Sequence, residues 1–254
     1  MRRSLVLAAV ILTAVFAVYA RVPAAETASP ASQASSPAQS GVTSPREPSV
    51  RTIVQPAYTA AAMQAGIEGD VGLEAVVTPA GDIRDVRIVR SLDREHGLDD
   101  QAVAAVRQWR FDSYNRPEPA TFYIELQFRQ LGAGRRGAAP DDFETGAMLE
   151  GTPRLVKPTV VRTPSPAYTS DAMRSRIQGA VEVQAVVNTL GEVSRARVVR
   201  TAWATERGPD SLRSTAGLIE SALTAARNWT FKPASLDGVP VPVVVTIVLN
   251  FRIH

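Results

Sequence analysis

Residues 56–77, PAYTAAAMQAGIEGDVGLEAVV, decide the fold, because their pattern returns at residues 166–187 as PAYTSDAMRSRIQGAVEVQAVV. Matching positions are separated by a constant 110 residues (166 minus 56). Farther on, Trp109 is matched by Trp229, a shift of 120 (229 minus 109), so the second copy carries an insertion near residues 202–214. One repetition at this distance is typical of a duplicated small domain and not of a solenoid.

Each copy has the periodicities of a small α+β domain. In the first copy, an alanine-rich stretch after Pro56 predicts a short helix, and two alternating stretches at 69–78 and 83–90 predict a hairpin. Leu98 to Trp109 has apolar residues at helical spacing, and 121–128 alternates again as a third strand. The prediction is two tandem α-β-β-α-β domains, each a three-stranded antiparallel sheet with two helices.

The N-terminal region has the composition of an export signal followed by a tether. Residues 1–24 combine Arg2 and Arg3 with an apolar run, which fits either a cleaved signal peptide or a retained anchor spanning residues 4–20. Residues 25–50, rich in Ala, Ser and Pro, are predicted to be a disordered tether. The first domain is predicted at 51–131, a linker at 132–154, and the second domain at 155–254. In both interpretations the rest of the chain is exported.

Composition argues against several classes of function. The chain has no cysteine, which excludes disulfides and thiolate chemistry, and its net charge of +3 is dispersed, so no nucleic-acid partner is predicted. With two histidines and no phosphate-binding glycine loop, it is predicted not to be an enzyme and to bind no cofactor.

Two local features have a structural and a functional interpretation. Asp93, Glu95, His96, Asp99 and Asp100 form an acidic cluster before a helix, where carboxylates are ordinary first-turn residues, so no metal site is predicted.

Trp203 in the insertion is predicted to be a loop residue on a domain surface, with partner binding there as the alternative.

The repeated motifs resemble a known family, the TonB C-terminal domain. Its pattern is Pro-x-Tyr, then Ile-x-Gly-x-Val, a turn glycine, and Trp-x-Phe before a last strand. The second copy matches nearly from end to end, at 166–168, 177–181, 191, 229–234 and 237–241, and is predicted to be the closer match; the first copy matches through Trp109 and Phe111.

This resemblance implies a partner and a binding mode. TonB proteins reach from the inner membrane, where a proton-driven motor supplies energy, to outer-membrane transporters. Their last strand pairs with a segment of the transporter, so that backbone hydrogen bonds provide the affinity.

The candidate site is the last strand of the second copy, whose apolar residues fall on both faces. Such a strand either binds a partner or is covered by its own chain. Tyr168 lies at the entrance of the same domain, where it either touches the partner or caps the core. The candidate partner-binding residues are Val241, Val243, Val244, Val245, Thr246, Ile247, Val248, Leu249 and Tyr168.

The sequence supports two functional hypotheses. The first is a periplasmic TonB-family protein that binds an outer-membrane TonB-dependent transporter, or another envelope protein, by strand addition, as part of energy-coupled transport. The second is a non-transducing structural module whose two domains pair with each other or dimerise. The short tether, and the absence of a histidine after Ser4 in the N-terminal run, motivate the second hypothesis.

Overall fold

The computed structural model describes residues 47–130, 143, 146–149 and 151–253. The predicted signal or anchor at 1–24 lies outside the described residues, as do most of the tether and much of the linker. No helix in the described part of the chain is long and apolar enough to cross a membrane.

The described residues form four α-helices and fourteen strands, most of the strands short. In chain order the elements are β1 (Val50–Thr52), α1 (Ala60–Ala65), β2 (Gly69–Val77), β3 (Ile83–Arg90), α2 (Leu98–Val106), β4 (Arg110–Phe111), β5 (Ala120–Phe128), β6 (Met148–Leu149), β7 (Leu155–Val156), β8 (Thr159–Arg162), α3 (Ser170–Arg174), β9 (Gln178–Val187), β10 (Val193–Thr205), α4 (Thr215–Arg227), β11 (Thr230–Lys232), β12 (Ser235–Leu236), β13 (Val239–Pro240) and β14 (Val243–Phe251). A 3-10 helix at Pro209–Ser214 precedes α4.

The long strands of both copies join in one seven-stranded sheet, in the order β3-β2-β5-β10-β9-β14-β6. The α+β class is confirmed, but the prediction of two separate three-stranded sheets is wrong. The last strand of the first copy, β5, pairs antiparallel with the end of β10, where Ala202 lies opposite Leu126 and Thr205 opposite Tyr123. We call this four-residue ladder the junction. Three smaller sheets, β1-β4, β11-β8 and β13-β12-β7, lie outside the main sheet.

The two hydrophobic cores lie on opposite faces of this sheet. At the junction, Ala202 and Ala204 belong to the first core, together with their partners Leu126 and Ile124. Trp203, between the two alanines, belongs to the second core. Because successive side chains of a strand point to opposite faces, α1 and α2 cover one face and α3 and α4 cover the other.

The insertion in the second copy lengthens a strand and does not form the predicted surface loop. β10 has 13 residues where its counterpart β3 has 8. Trp203 lies within β10, is 1% exposed, and has its ring centroid 5.7 Å from that of Phe251. The tryptophan fits because Gly179, directly opposite, has no side chain: a Cβ there would lie 2.6 Å from the indole Cε3.

The geometry that the two copies share centres on the tryptophan of the Trp-x-Phe motif. The Trp109 indole donates a hydrogen bond to the carbonyl of Val54 at 2.9 Å, and the Trp229 indole donates to that of Pro164 at 3.2 Å. Each acceptor lies in the segment that leads to the first helix of its copy. The buried indole N–H groups are therefore satisfied in the same way in both halves.

Candidate partner-binding edge

The last strand, β14, has one closed side and one side that is mostly open. On the closed side it pairs antiparallel with β9 over its whole length, from Val243 to Phe251. On the other side, β6 pairs with it in parallel at Val243 and Val244 only. Among the described residues, no strand pairs with this outer side from Val245 to Phe251, and we call that stretch the open edge.

The direction of one hydrogen bond fixes which residues face the open edge. Met148 of β6 donates its N–H to the carbonyl of Pro242 at 2.9 Å, so the backbone of Pro242 faces outward. Along an antiparallel strand, backbone groups alternate between the two sides. Thr246, Val248 and Asn250 therefore direct their N–H and C=O groups into the open edge, which is the arrangement that a further strand requires.

The side chains of the strand divide between a buried and an exposed face. The odd-numbered ones face the second core, and those of Val243, Val245, Ile247 and Leu249 are all buried. On the even-numbered face Val244 is also buried, whereas Thr246 is exposed and Val248 half-buried. Val244 and Val248 are the apolar residues predicted on the even-numbered face; of the two, Val244 is buried and Val248 is half-buried.

Val241 lies just before β14, is half-buried, and donates its N–H to the carbonyl of Ala234 at 3.0 Å.

Tyr168 packs at the far end of the strand. Its ring meets that of Phe251 edge-on, with centroids 5.5 Å apart, and its hydroxyl donates to the carbonyl of Ile177 at 2.5 Å. Burial raises the pKa of the Tyr168 phenol. Tyr58 makes the same edge-on contact with Phe128 at 5.7 Å. These contacts are those of a tyrosine that caps a core, and they hold the end of β14 in place.

At the corresponding edge of the first copy, four residues of β5 are closed by the chain itself. Phe128 ends β5 and Phe251 ends β14, each opposite the Ile-x-Gly glycine of its copy, so the strands correspond with a shift of 123 residues (251 minus 128). Residues 123–126 of β5, which pair with β10, correspond to residues 246–249 in the open edge. The two copies thus present one filled and one open version of the same edge.

Further contacts hold the junction in place. The Gln178 side chain is 1% exposed; it accepts from the N–H of Val50 at 2.8 Å and donates to the carbonyl of Pro48 at 3.2 Å. At the other end, Arg116 and Glu206 form an ion pair at 2.6 Å. The second hypothesis had the two domains pair with each other or dimerise, but the sequence did not predict that β5 and the end of β10 would form the contact. The sequence feature that indicates the junction is the insertion, which makes the region between the hairpin turn and the second helix longer in the second copy than in the first.

The acidic cluster before α2 serves as a cap. The Asp93 carboxylate accepts from the backbone N–H groups of Glu95, His96 and Leu98 at 3.1–3.2 Å, and lies 2.9 Å from the His96 ring. Burial would raise the pKa of Asp93, but these hydrogen bonds outweigh it and hold the pKa below its ordinary value. Within the described residues no group of three His, Asp or Glu side chains could hold a metal ion.

Comparison with known proteins identifies the first copy. Residues 54–129 match the family described as Gram-negative bacterial TonB protein C-terminal. This part of the chain is therefore similar to the TonB C-terminal family. The match falls on the first copy, whereas the motifs predicted the second TonB-like copy to be the closer one, and the tandem arrangement stays a prediction.

A solved structure and the curated proteins were also compared with the chain. The solution NMR structure of the Pseudomonas aeruginosa TonB CTD is 19% identical, covering 42% of this chain and 91% of that one, with a TM-score of 0.26. No curated protein matches.

Proposed function

We propose that this protein is a TonB-type protein of the periplasm that accepts an extended segment of an outer-membrane transporter, or of another envelope protein, at the open edge of β14. The observation that carries the proposal is the stretch from Val245 to Phe251, whose outer side pairs with no strand in the described part of the chain and where three residues direct backbone groups outward. An unpaired edge beside a packed core is a ready template for a further strand. The match of residues 54–129 to the TonB C-terminal family supports the choice of partner.

A second candidate is a structural module that transduces no energy. The observation that favours it is the junction, since the two copies already pair with each other through β5 and β10. Both candidates share the exported location. Only the first needs the open edge and attachment to the inner membrane through residues 1–24.

A proline at an outward-facing position separates the two candidates. Replacing Thr246 with proline removes one N–H from the open edge and leaves the ladder with β9 intact, because the N–H of Thr246 faces away from β9. The matched control is Thr246→Val, which keeps the N–H and a β-branched side chain. We expect T246P to reduce capture of an identified transporter from envelope extract about tenfold, the effect of about 1.4 kcal/mol, while T246V captures as the wild type does.

Equal capture by T246P, T246V and wild type, with circular dichroism showing all three folded, contradicts binding at this edge. Fractionation then tests attachment. Protein that is retained in the inner membrane supports energy coupling, and freely soluble mature protein supports the structural module.

A further inference from the structure

At the junction, a strand of the same chain is added to β5 at the edge that corresponds to the open edge of β14. In the first copy, the added strand is the end of β10, which lies antiparallel on residues 123–126 of β5. The corresponding residues of β14 are 246–249, and β6 stops short of them at Val244. A strand in the junction's register would therefore meet no residue of β6.

The added strand in the junction presents small side chains to the core. Ala202 and Ala204 face the first core, opposite Leu126 and Ile124, and both are 0% exposed. On the other face, Trp203 lies opposite Glu125. The side chains of the added strand therefore alternate in size. The alanine methyl groups face the first core, and the large Trp203 side chain faces the opposite side of the sheet.

Residues 48–56 form a segment on the core side of the added strand, and we call this segment the strap. It belongs to the same core as Ala202 and Ala204 and is tied to the second copy at both ends. Arg200 donates to the carbonyl of Pro56 at 3.3 Å, and Gln178 bridges the backbone of Pro48 and Val50. The added strand is therefore enclosed between β5, β9 and the strap.

The second copy has a corresponding strap that carries an uncovered apolar side chain. Val161 corresponds to Arg51 by the shift of 110, and it is 71% exposed. Val156, earlier in the same segment, is 61% exposed. Arg51 is exposed in the first copy too, so both residues lie on the face of the strap that points away from the core, whereas Val160 packs on the second core.

We propose that the open edge binds an antiparallel segment in the register of the junction, with small residues such as alanine opposite Ile247 and Leu249 and a large side chain opposite Val248. The inference rests on the proposed function, whose site it shares, and adds the direction, register and side-chain chemistry of the partner. The partner segment is thus a short alternating stretch of the type Ala-x-Ala.

The chain's lack of cysteine allows a direct test of the register. Val248→Cys provides a single thiol on the half-buried face of β14. The probe is an eight-residue peptide with the sequence of residues 199–206, VRTAWATE, in which the tryptophan is replaced by cysteine. Two control peptides keep the tryptophan and carry the cysteine two places earlier or later.

In the proposed register, the Cα atoms of Val248→Cys and of the central cysteine lie directly opposite, at about 5.5 Å, within the range for a disulfide. We expect the central peptide to cross-link about tenfold more than either control in a glutathione redox buffer, measured by intact mass. Replacing both peptide alanines with leucine should lower cross-linking about tenfold, because the core side lacks room.

Equal cross-linking of the three peptides, or preference for a control, overturns the register. Tolerance of the leucine peptide overturns the small-residue requirement. If no peptide cross-links while T246P still reduces transporter capture, the proposed function stands and this inference fails. If transporter capture is also insensitive to T246P, both fail.

Discussion

At the scale of single residues, the tightest constraint is the glycine in the hairpin turn of each copy. Gly191 has φ of 85°, and a Cβ there would lie 1.8 Å from the carbonyl oxygen of Phe231. Gly81 repeats this contact at 2.1 Å from the carbonyl oxygen of Phe111. The close approach exists because the phenylalanine of the Trp-x-Phe motif bonds to the turn: the Phe231 N–H donates to the carbonyl of Gly191 at 2.7 Å.

Two glycine substitutions separate the backbone effect from the contact effect. Gly238 has the same φ of 85° as Gly191, but nothing lies within 4 Å of where its Cβ would be. We expect Gly238→Ala to cost about 1–2 kcal/mol, the strain of left-handed backbone. Gly191→Ala should cost about 1–3 kcal/mol more, because the methyl group collides with backbone that is held by a hydrogen bond. Urea unfolding measures both, and equal losses would contradict the contact as the constraint.

At the scale of elements, the sequence predicted what depends on local periodicity. The hairpin strands, the helices that carry the tryptophans, and the last strand of each copy follow from alternation or from three- and four-residue spacing. The extension of β10 does not, because Ala202 to Thr205 is a short stretch whose partner, β5, lies about eighty residues away in the sequence. Strand order and the sharing of one sheet are decided by that non-local pairing.

The same limit applies to the candidate site. The residues of β14 were identified from their apolar alternation and from the family resemblance. Which of them direct backbone groups outward depends on the pairing with β9 and β6, and the sequence contains no signal for it. The position of β6 at Val243 and Val244, which confines the open edge to the residues after them, could not be predicted either.

The loop before α2 allows a prediction about pH. The pKa of Asp93 lies below its ordinary value of 3.8, so the carboxylate stabilises the fold at pH values above 3.8. This contribution is lost as the pH falls through the lower pKa of the folded state. We expect Asp93→Asn to unfold at lower urea than wild type at pH 7, with the difference shrinking near pH 3.

Asp100→Asn is the matched control, since Asp100 is an exposed carboxylate in the first turn of the same helix. It should unfold close to wild type at both pH values. A D93N deficit of the same size at pH 7 and pH 3 would show that the charge is not what the loop needs.

At the scale of the whole molecule, the junction also bears on self-association. The sheet that contains the junction ends in β3 on one side and, beyond the short β6, in the open edge of β14 on the other; β3 and β14 correspond to β10 and β5. However, β3 ends at Arg90, and so lacks the extension from which β10 pairs with β5. A second copy of the chain therefore cannot extend the sheet by repeating the junction, which favours a foreign segment as the occupant of the open edge.

A continuous sheet predicts that the two halves unfold together. Ala204 is fully buried between β5 and β9, opposite Ile124 and Gln178. Ala204→Pro removes its N–H and leaves a carbonyl on a neighbouring strand without a donor, at a cost of about 1–3 kcal/mol concentrated at the junction. Ala204→Gly keeps the N–H and should cost about 1 kcal/mol.

We expect one calorimetric transition for wild type and A204G, and two for A204P, because each core keeps its own helices. Two transitions in wild type would mean that the two halves do not unfold cooperatively across the junction. The β5 edge would then open independently of the rest of the fold. The chain would offer that edge for binding in addition to the open edge of β14.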